Sequence, residues 1–496
     1  MSRKHPSSPF SQVLLGILLL GGSPILRAIE PSQIERDLLS FRLSEVAQNL
    51  GQLESEGLRS YYQFHLHFYK YLTAQTPNDL VKLRNNWDQI VESIYALPSG
   101  DSLQHILLSD MYAKKGMVEF LDKNYLKGVW SLRYSRNYLK KHQKIFPNDP
   151  NSLKMEGLFN CLFGVIPKKY HWITQTLGIK GDITKGIRQL EKAGKEGKVL
   201  PLESTLLHYF ATKNLLNQPH KALKALEYVR DTFSNSILLD YCQIAGYMGI
   251  KQSQKALKIL QKRSLYKDDP TIFFIPLWDY HMGRAYYYKA SYPQARKMFD
   301  FFLTQHKGDL YRTDAVFRLG MSYLLDGDYE MGSSYFGQLQ HQEASDLEED
   351  EYALHLAKKF LAAKPSTPTL TLFQSRNAYD GGYYTRALSY LKPLSEAPLQ
   401  MTPEELTFLY YLYGRIFHTQ GKLSIAYDNY LKCIAQPDLP SSRWQQSYSS
   451  YYIGEIARNQ ENRELARQYY KKALTYTDYF YQSSLENQCK VALGKL

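Results

Sequence analysis

The chain has 496 residues, a formal net charge of +13 and an isoelectric point near 9.1, far more length than one compact domain needs, whereas a solenoid has no such ceiling. Gly and Pro are not enriched, β-branched runs are scarce, and Ala, Leu, Lys, Glu and Gln recur at helical spacing, which points to an all-α chain without β architecture. The basic balance suits acidic partners, anionic lipid headgroups or nucleic acid, but no long charge run concentrates it, and most of it reads as solvated helix surface.

Residues 1–28 read as a secretory signal peptide. Arg3 and Lys4 form its charged start, Val13 to Gly22 an apolar core too short to span a membrane, and Ala28 the residue before the cut, with Ser23 as a second cleavage candidate. A retained anchor is the alternative; with no Cys near the cut a bacterial lipoprotein is not expected, and no second segment is long enough to span. Removing Arg3, Lys4 and Arg27 with the leader leaves a mature charge near +10. Residues 29–200 are expected to form an N-terminal helical region, with helices over roughly 32–54, 58–74 and 78–96, then Leu103 to Lys114 and Asn124 to Lys140. His65 and His67 are two apart on one helix and face different sides, so no metal pair is expected. Pro147 to Pro150 breaks the chain, and Asn151 or Ser152 is expected to cap the next helix.

Residues 153–198 stand out as a non-repeat stretch: Pro167 ends a helix, Gly178 and Gly181 make a tight link, and Asp182 caps the following helix. Lys168, Lys169, Lys185, Arg188, Lys192 and Lys195 could form a patch for an anionic partner, or an ordinary solvated face. Residues 201–363 carry central repeats, weakly at first: Ala222 and Leu226, then Tyr247, Ala256 and Leu260. They become clear at Gly283, Tyr286, Ala295 and Phe299, and again at Gly320, Tyr323, Gly332 and Phe336. Both sets fall at offsets 0, +3, +12 and +16. Small residues let two helices cross closely, and the aromatics fill the space beside the crossing. The acidic run 343–351 starts a helix reaching about Ala363, where acids suit the helix N-terminus. Residues 364–496 hold C-terminal repeats: a short one turning at Asp380-Gly381-Gly382, then Gly414, Phe417, Ala426 and Tyr430, then Gly454, Ala457, Ala466 and Tyr470, and a capping helix from about Ser484 to Gly494.

The spacing resembles the tetratricopeptide repeat, a helix–turn–helix unit of nominally about 34 residues, and implies a right-handed α-solenoid of such hairpins. Residues 156–193, with Ile166-Pro167, Leu177-Gly178 and Gly181-Asp182, together with Asp380-Gly381-Gly382-Tyr383-Tyr384, also resemble the eukaryotic inclusion-body clearance family, whose animal members are called tetratricopeptide repeat protein 39. That resemblance implies a helical scaffold without enzymatic chemistry. A secretory leader departs from those intracellular proteins, so their cellular roles are not carried over.

No phosphate-binding Gly-rich loop, His-Glu-x-x-His, Cys-x-x-Cys or Gly-x-Ser-x-Gly is present. No catalytic residue, metal site or cofactor is expected. Cys161, Cys242, Cys433 and Cys489 read as buried thiols, disulfides being the alternative in an oxidising compartment. The anomaly is tyrosine, with 42 residues, many paired, as at Tyr410-Tyr411 and Tyr451-Tyr452; it serves either as the repeat's aromatic or as a recognition residue. The expectation is a periplasmic or envelope-associated scaffold that is not an enzyme and binds a protein or peptide on its concave face through Tyr, Lys and Arg. A glycan or anionic-lipid binding protein is the alternative, and nucleic acid is not expected in that compartment.

Overall fold

Helix-forming sequence interrupted by capping and turn residues folds into short antiparallel hairpins. The computed structural model describes residues 30–98, 100–165, 181–216, 218–230, 235–342, 347–494 and 496; the expected signal peptide, with Lys168, Lys169, Pro167 and Gly178, lies outside them. Among the described residues there are 26 α-helices and no strand: the fold is an all-α helical-repeat array. The N-terminal helices are α1 (Pro31–Leu39), α2 (Leu43–Asn49), α3 (Glu56–Ala74), α4 (Pro77–Asn85) and α5 (Trp87–Tyr95). The first expected helix is therefore two, because the backbone turns at Phe41 with φ 61°, and the third breaks at Asn86.

Hairpins follow: α6 (Ser102–Leu121) with α7 (Tyr125–Ile145), α8 (Ser152–Val165) with α9 (Ile183–Glu196), α10 (Pro201–Asn214) with α11 (Pro219–Arg230), and α12 (Ile237–Gly249) with α13 (Ser253–Leu260). After the short α14 (Arg263–Lys267) come α15 (Leu277–Tyr288) with α16 (Tyr292–Gln305), α17 (Arg312–Leu325) with α18 (Tyr329–Gln338), and a single helix α19 (Glu348–Ala362). Three more hairpins close the array, α20 (Thr367–Asp380) with α21 (Tyr384–Glu396), α22 (Pro403–Thr419) with α23 (Leu423–Ile434), and α24 (Arg443–Asn459) with α25 (Arg463–Ala473), before α26 (Gln482–Leu493) covers the last core cluster. Caps set several starts: Asp182, Asp328 and Asn462 accept from backbone N–H groups, and Thr402 with Glu405 forms a reciprocal capping box. The Asn151 side chain, just before α8, accepts from the N–H groups of Lys198 and Val199.

The crossings explain the spacing. A Cβ on Gly283 would lie 2.7 Å from the Phe299 ring, on Gly320 2.5 Å from Phe336, on Gly414 2.5 Å from Tyr430, and on Gly454 2.7 Å from Tyr470. The aromatic at +16 thus packs flat on the small residue at 0, while Ala295, Ala426 and Ala466 are fully buried at +12 and Gly332 meets the Gly320 carbonyl. Tyr286 and Tyr323, at +3, are only half-buried; Tyr323 stacks on Tyr335 and lies under Arg296. The inter-helix turn puts the residue at +7 in the left-handed region: Lys251, Ala290, Gly327, Gly382, Gly421 and Glu461.

The hairpin expected over 102–142 and the 153–198 stretch, expected to stand apart from the repeats, both follow the same plan. In α6–α7, Gly116, Gly128 and Leu132 occupy 0, +12 and +16, Lys123 at +7 has φ 59°, and both helices run longer than expected. In α8–α9, Gly157 crosses at Gly186, and Leu190 packs beside it. The 153–198 stretch is therefore a hairpin of the series with extra residues in its connection. Successive superhelical turns touch: Lys251 meets Asp380, 129 residues on, and Ser484 donates to Glu348, 136 residues back. The N-terminal helices close against the middle of the chain, where the Phe273 N–H donates to the Phe41 carbonyl at 2.8 Å.

Candidate binding face

Two polar assemblies lie inside the array. The first is buried between α3, α6, α8 and α10. Lys114 Nζ lies 2.7 Å from Asp110 and 2.9 Å from Glu203, and Lys154 Nζ lies 3.0 Å from each. Tyr61 and Tyr69 each donate at 2.6 Å, to Asp110 and Glu203 respectively. His65 sits 3.2 Å from Asp110 through Nε2 and 2.7 Å from the Tyr61 carbonyl through Nδ1. Burial would raise Asp110 and Glu203, but Lys114 and Lys154 hold both low, Glu203 at about 2. Burial, helped by Lys114, lowers His65. His65, Asp110 and Glu203 bring three ligand atoms within 4.8 Å of one another, yet the two ammonium groups already bridge those carboxylates and supply the charge a cation would bring. His67 points elsewhere, to Asp79 at 3.1 Å. Closed to solvent on every side, this assembly holds helices together.

The second assembly faces the interior of the superhelix. The first helices of five hairpins each present it a cation: Lys213 on α10, Arg284 on α15, Arg318 on α17, Arg376 on α20 and Arg415 on α22, joined by Lys251 from the α12–α13 turn. All remain partly solvent-accessible; the Arg318 side chain is 16% exposed and Arg376 23%. They are close enough to repel: Arg284 lies in the field of Lys213 and Arg318, Arg318 in that of Arg376, and Arg415 in that of Lys251. Two aspartates offset part of this charge. Asp314 holds Arg318 at 2.5 Å, and Asp380 holds Lys251 at 2.5 Å and Arg376 at 3.8 Å, while Glu349 reaches Lys213 through a longer-range attraction. Among the described residues, Arg284, Arg415 and Lys213 form no ion pair.

Tyrosines line the same surface. Arg415 lies 3.6 Å from the Tyr452 ring centroid, Arg376 donates to the Tyr352 hydroxyl at 3.2 Å, and Arg284 to that of Tyr288 at 2.8 Å. Burial pushes Tyr280, Tyr411 and Tyr448 well up and raises Tyr352 and Tyr452, so these phenols stay protonated and can donate. Burial, with Arg284 and Lys213 nearby, lowers His281, which stays neutral. The result is a donor-rich, net cationic face with aromatic planes. Beside it, a cavity of about 260 Å³ opens where α19 lacks a partner helix, bounded by Tyr352, Phe360, Phe373 and Phe408.

The expected repeat positions therefore build the crossings rather than this face. Lys185, Arg188, Lys192 and Lys195 are exposed on the outside of α9, where Lys195 pairs with Glu191 at 2.9 Å and Lys192 with Glu196 at 3.6 Å; they do not join the inner row. The sequence does carry one trace of that row: Arg284, Arg376 and Arg415 share one position, immediately after the small residue of their repeat (Gly283, Ser375, Gly414). All four cysteines are buried free thiols, each pushed by burial up to about 12. No helix among the described residues is long and apolar enough to cross a membrane.

No family model matches the chain, and no curated protein matches it. Among solved structures it is similar to the anaphase-promoting-complex hetero-tetramer Cut9-Hcn1, with 12% identity, a TM-score of 0.29, and 98% of this chain and 99% of that one covered. It is also similar to the human IFIT1 dimer with PPP-AAAA, with 15% identity, a TM-score of 0.27, and 91% and 96% covered.

Proposed function

We propose that the chain is a non-enzymatic scaffold of the cell envelope that holds a protein or peptide partner on its inner face. The observation that carries this is the inner row of Lys, Arg and Tyr side chains, in which Lys213, Arg284 and Arg415 form no ion pair among the described residues. A tyrosine-lined, cationic interior is suited to polypeptide recognition: planar aromatics give area, guanidinium forks give directed donors, and a confined site strengthens both. Export rests on the leader read at residues 1–28. Kinship of repeat plan with the inclusion-body clearance family belongs to the same proposal and rests on the 156–193 segment, whose Gly157–Gly186 crossing makes it a tight hairpin.

A photo-crosslinking residue at position 349, exposed beside the inner row, tests this, with position 192 on the outside of α9 as control. Identified polypeptide adducts from 349 and not from 192 are expected. Adducts from neither position, or from both alike, reject the inner face as the site, and a glycan or lipid adduct at 349 assigns it to that ligand class instead. N-terminal sequencing of the mature protein from fractionated cells is expected to begin near Ile29 in the exported fraction; a retained Met1 in the cytosol rejects export.

A further inference from the structure

Helix α7 faces outward with an unusual combination of residues. Leu126, Trp130 and Tyr134, at i, i+4 and i+8, form one stripe and are 68, 54 and 49% exposed. Tyr95, from α5, extends the stripe through its contact with Tyr138. Exposed apolar side chains scattered singly are ordinary; several in one stripe are not. The same helix carries Lys127, Arg133, Arg136, Lys140, Lys141 and Lys144 and has no Asp or Glu in its 21 residues. Among the described residues, Lys127, Arg133, Lys140, Lys141 and Lys144 form no ion pair. Acids near its two ends are already engaged: Asp122 by Arg84 at 2.6 Å, Asp149 by the Asn151 amide at 2.9 Å, and Glu156 by Gln143 and Gln189. The opposite side of α7, with Val129, Leu132 and Leu139, is buried in the hairpin, so the outward stripe is not needed for the core.

We propose that the outward face of α7 docks the protein on an anionic phospholipid surface. At about 1.5 Å per residue the helix offers roughly 30 Å to lie along a membrane. Trp and Tyr favour the headgroup level, Leu126 reaches the acyl boundary, and flexible lysines flank them to meet phosphates. The requirement is a field of negative charge over a flat apolar boundary, which an anionic bilayer supplies and a neutral one does not. The inference is independent of the inner face, whose residues lie on other helices.

Sedimentation of the full chain with vesicles tests it. Vesicles of equal phosphatidylglycerol and phosphatidylcholine are expected to bind the protein at least about tenfold more tightly than phosphatidylcholine alone, with binding falling as salt rises. The exposed-site variant L126S/W130S/Y134S is expected to lose at least about tenfold, and K127Q/K140Q/K141Q/K144Q to lose binding and flatten the salt dependence. Circular dichroism confirms that both variants stay folded. Brominated phosphatidylglycerol is expected to quench part of the tryptophan emission, a part that W130F removes. Equal binding to phosphatidylcholine alone, unchanged binding by the triple variant, or quenching that persists in W130F would overturn the proposal. So would a deoxythymidine 20-mer or a deca-glutamate peptide that binds this face while vesicles do not.

Discussion

The hairpins from α15 to α25 and the helices from α3 to α10 continue one superhelix with two different interiors. In the C-terminal hairpins the crossing is dry: a glycine or serine, an alanine or glycine twelve residues on, and an apolar or aromatic side chain sixteen on, repeated with little variation. In the N-terminal half the hairpins cross in the same way at Gly116–Gly128 and Gly157–Gly186, but the space between hairpins holds two lysines, two carboxylates, a histidine and two tyrosines. The C-terminal crossings leave no room for a further atom on the small residue, and the N-terminal network no room for a missing charge. A local contact repeated many times gives an array whose units stand nearly alike. A single network spanning α3, α6, α8 and α10 ties four elements into one cooperative block.

The largest expected effect comes from unbalancing that network. Lys154→Met keeps most of the volume and removes one of the two ammonium groups between Asp110 and Glu203. Breaking a buried ion set by deleting one partner costs roughly 3–5 kcal/mol, and an equivalent exposed pair such as Lys192–Glu196 costs a few tenths. Urea unfolding followed by tryptophan fluorescence should show an early transition in K154M assigned to the N-terminal half, with the C-terminal transition in place. A uniform shift of a single transition would mean that the two halves are not distinct units.

Two carboxylates of this region respond to pH in opposite senses. Glu203 is held at about 2 against an ordinary value near 4.5, so its contribution is fully present above about pH 4.5 and is lost as the pH falls toward 2. Glu35 is raised to about 7, first by burial and then by Glu203, against the attraction of Lys154, and its Oε1 has no hydrogen-bond partner. The folded state therefore keeps a proton on Glu35 that the unfolded chain releases between about pH 4.5 and 7, and stability falls across that window as pH rises. Glu35→Gln should remove this cost, raising stability at pH 8 by on the order of 2–3 kcal/mol while leaving it near wild type at pH 4. Thermal melts at the two pH values give the comparison, and an equal change at both would assign the effect to packing.

The asymmetry between the halves also set what could be read from the sequence. Offsets of 0, +3, +12 and +16 are local, so the C-terminal hairpins and their turns at Gly327, Gly382 and Gly421 were legible. The 102–142 hairpin was legible from its helical runs, but its Gly116, Gly128 and Leu132 set lacks the aromatic at +16 that marks the clear repeats, and the Gly157–Gly186 spacing is stretched by a long connection, so neither set stands out as a repeat. Only the Asp110–Lys114 pair of the ion network is local, four residues apart, and such a spacing is ordinary on a helix; the other partners lie 45, 49, 89 and 134 residues apart. The turn at Phe41 has no Gly or Pro to announce it. For the inner row, the shared position of Arg284, Arg376 and Arg415 was visible, but the side of the hairpin that this position faces depends on how neighbouring hairpins stack.

A smaller effect probes the dry crossing. In Gly320→Ala the new Cβ would lie 2.5 Å from the Phe336 ring and 3.0 Å from the Gly332 carbonyl, and Phe336 is fully buried with no room to withdraw. Helix propensity favours Ala over Gly by up to about 1 kcal/mol, whereas overpacking a filled core costs about 1–3 kcal/mol, so a net loss of roughly 1–2 kcal/mol is expected. Phe336→Leu alone should also destabilise, by leaving a void. The two changes together should cost less than their sum, because the smaller side chain makes room for the methyl group; a coupling of about 0.5 kcal/mol or more is expected for residues in direct contact. Chemical denaturation of the two single variants and the double variant measures it. Strict additivity would mean that the close approach of Gly320 and Phe336 is not what fixes the small residue at this position, and that the spacing shared by the C-terminal hairpins needs another physical cause.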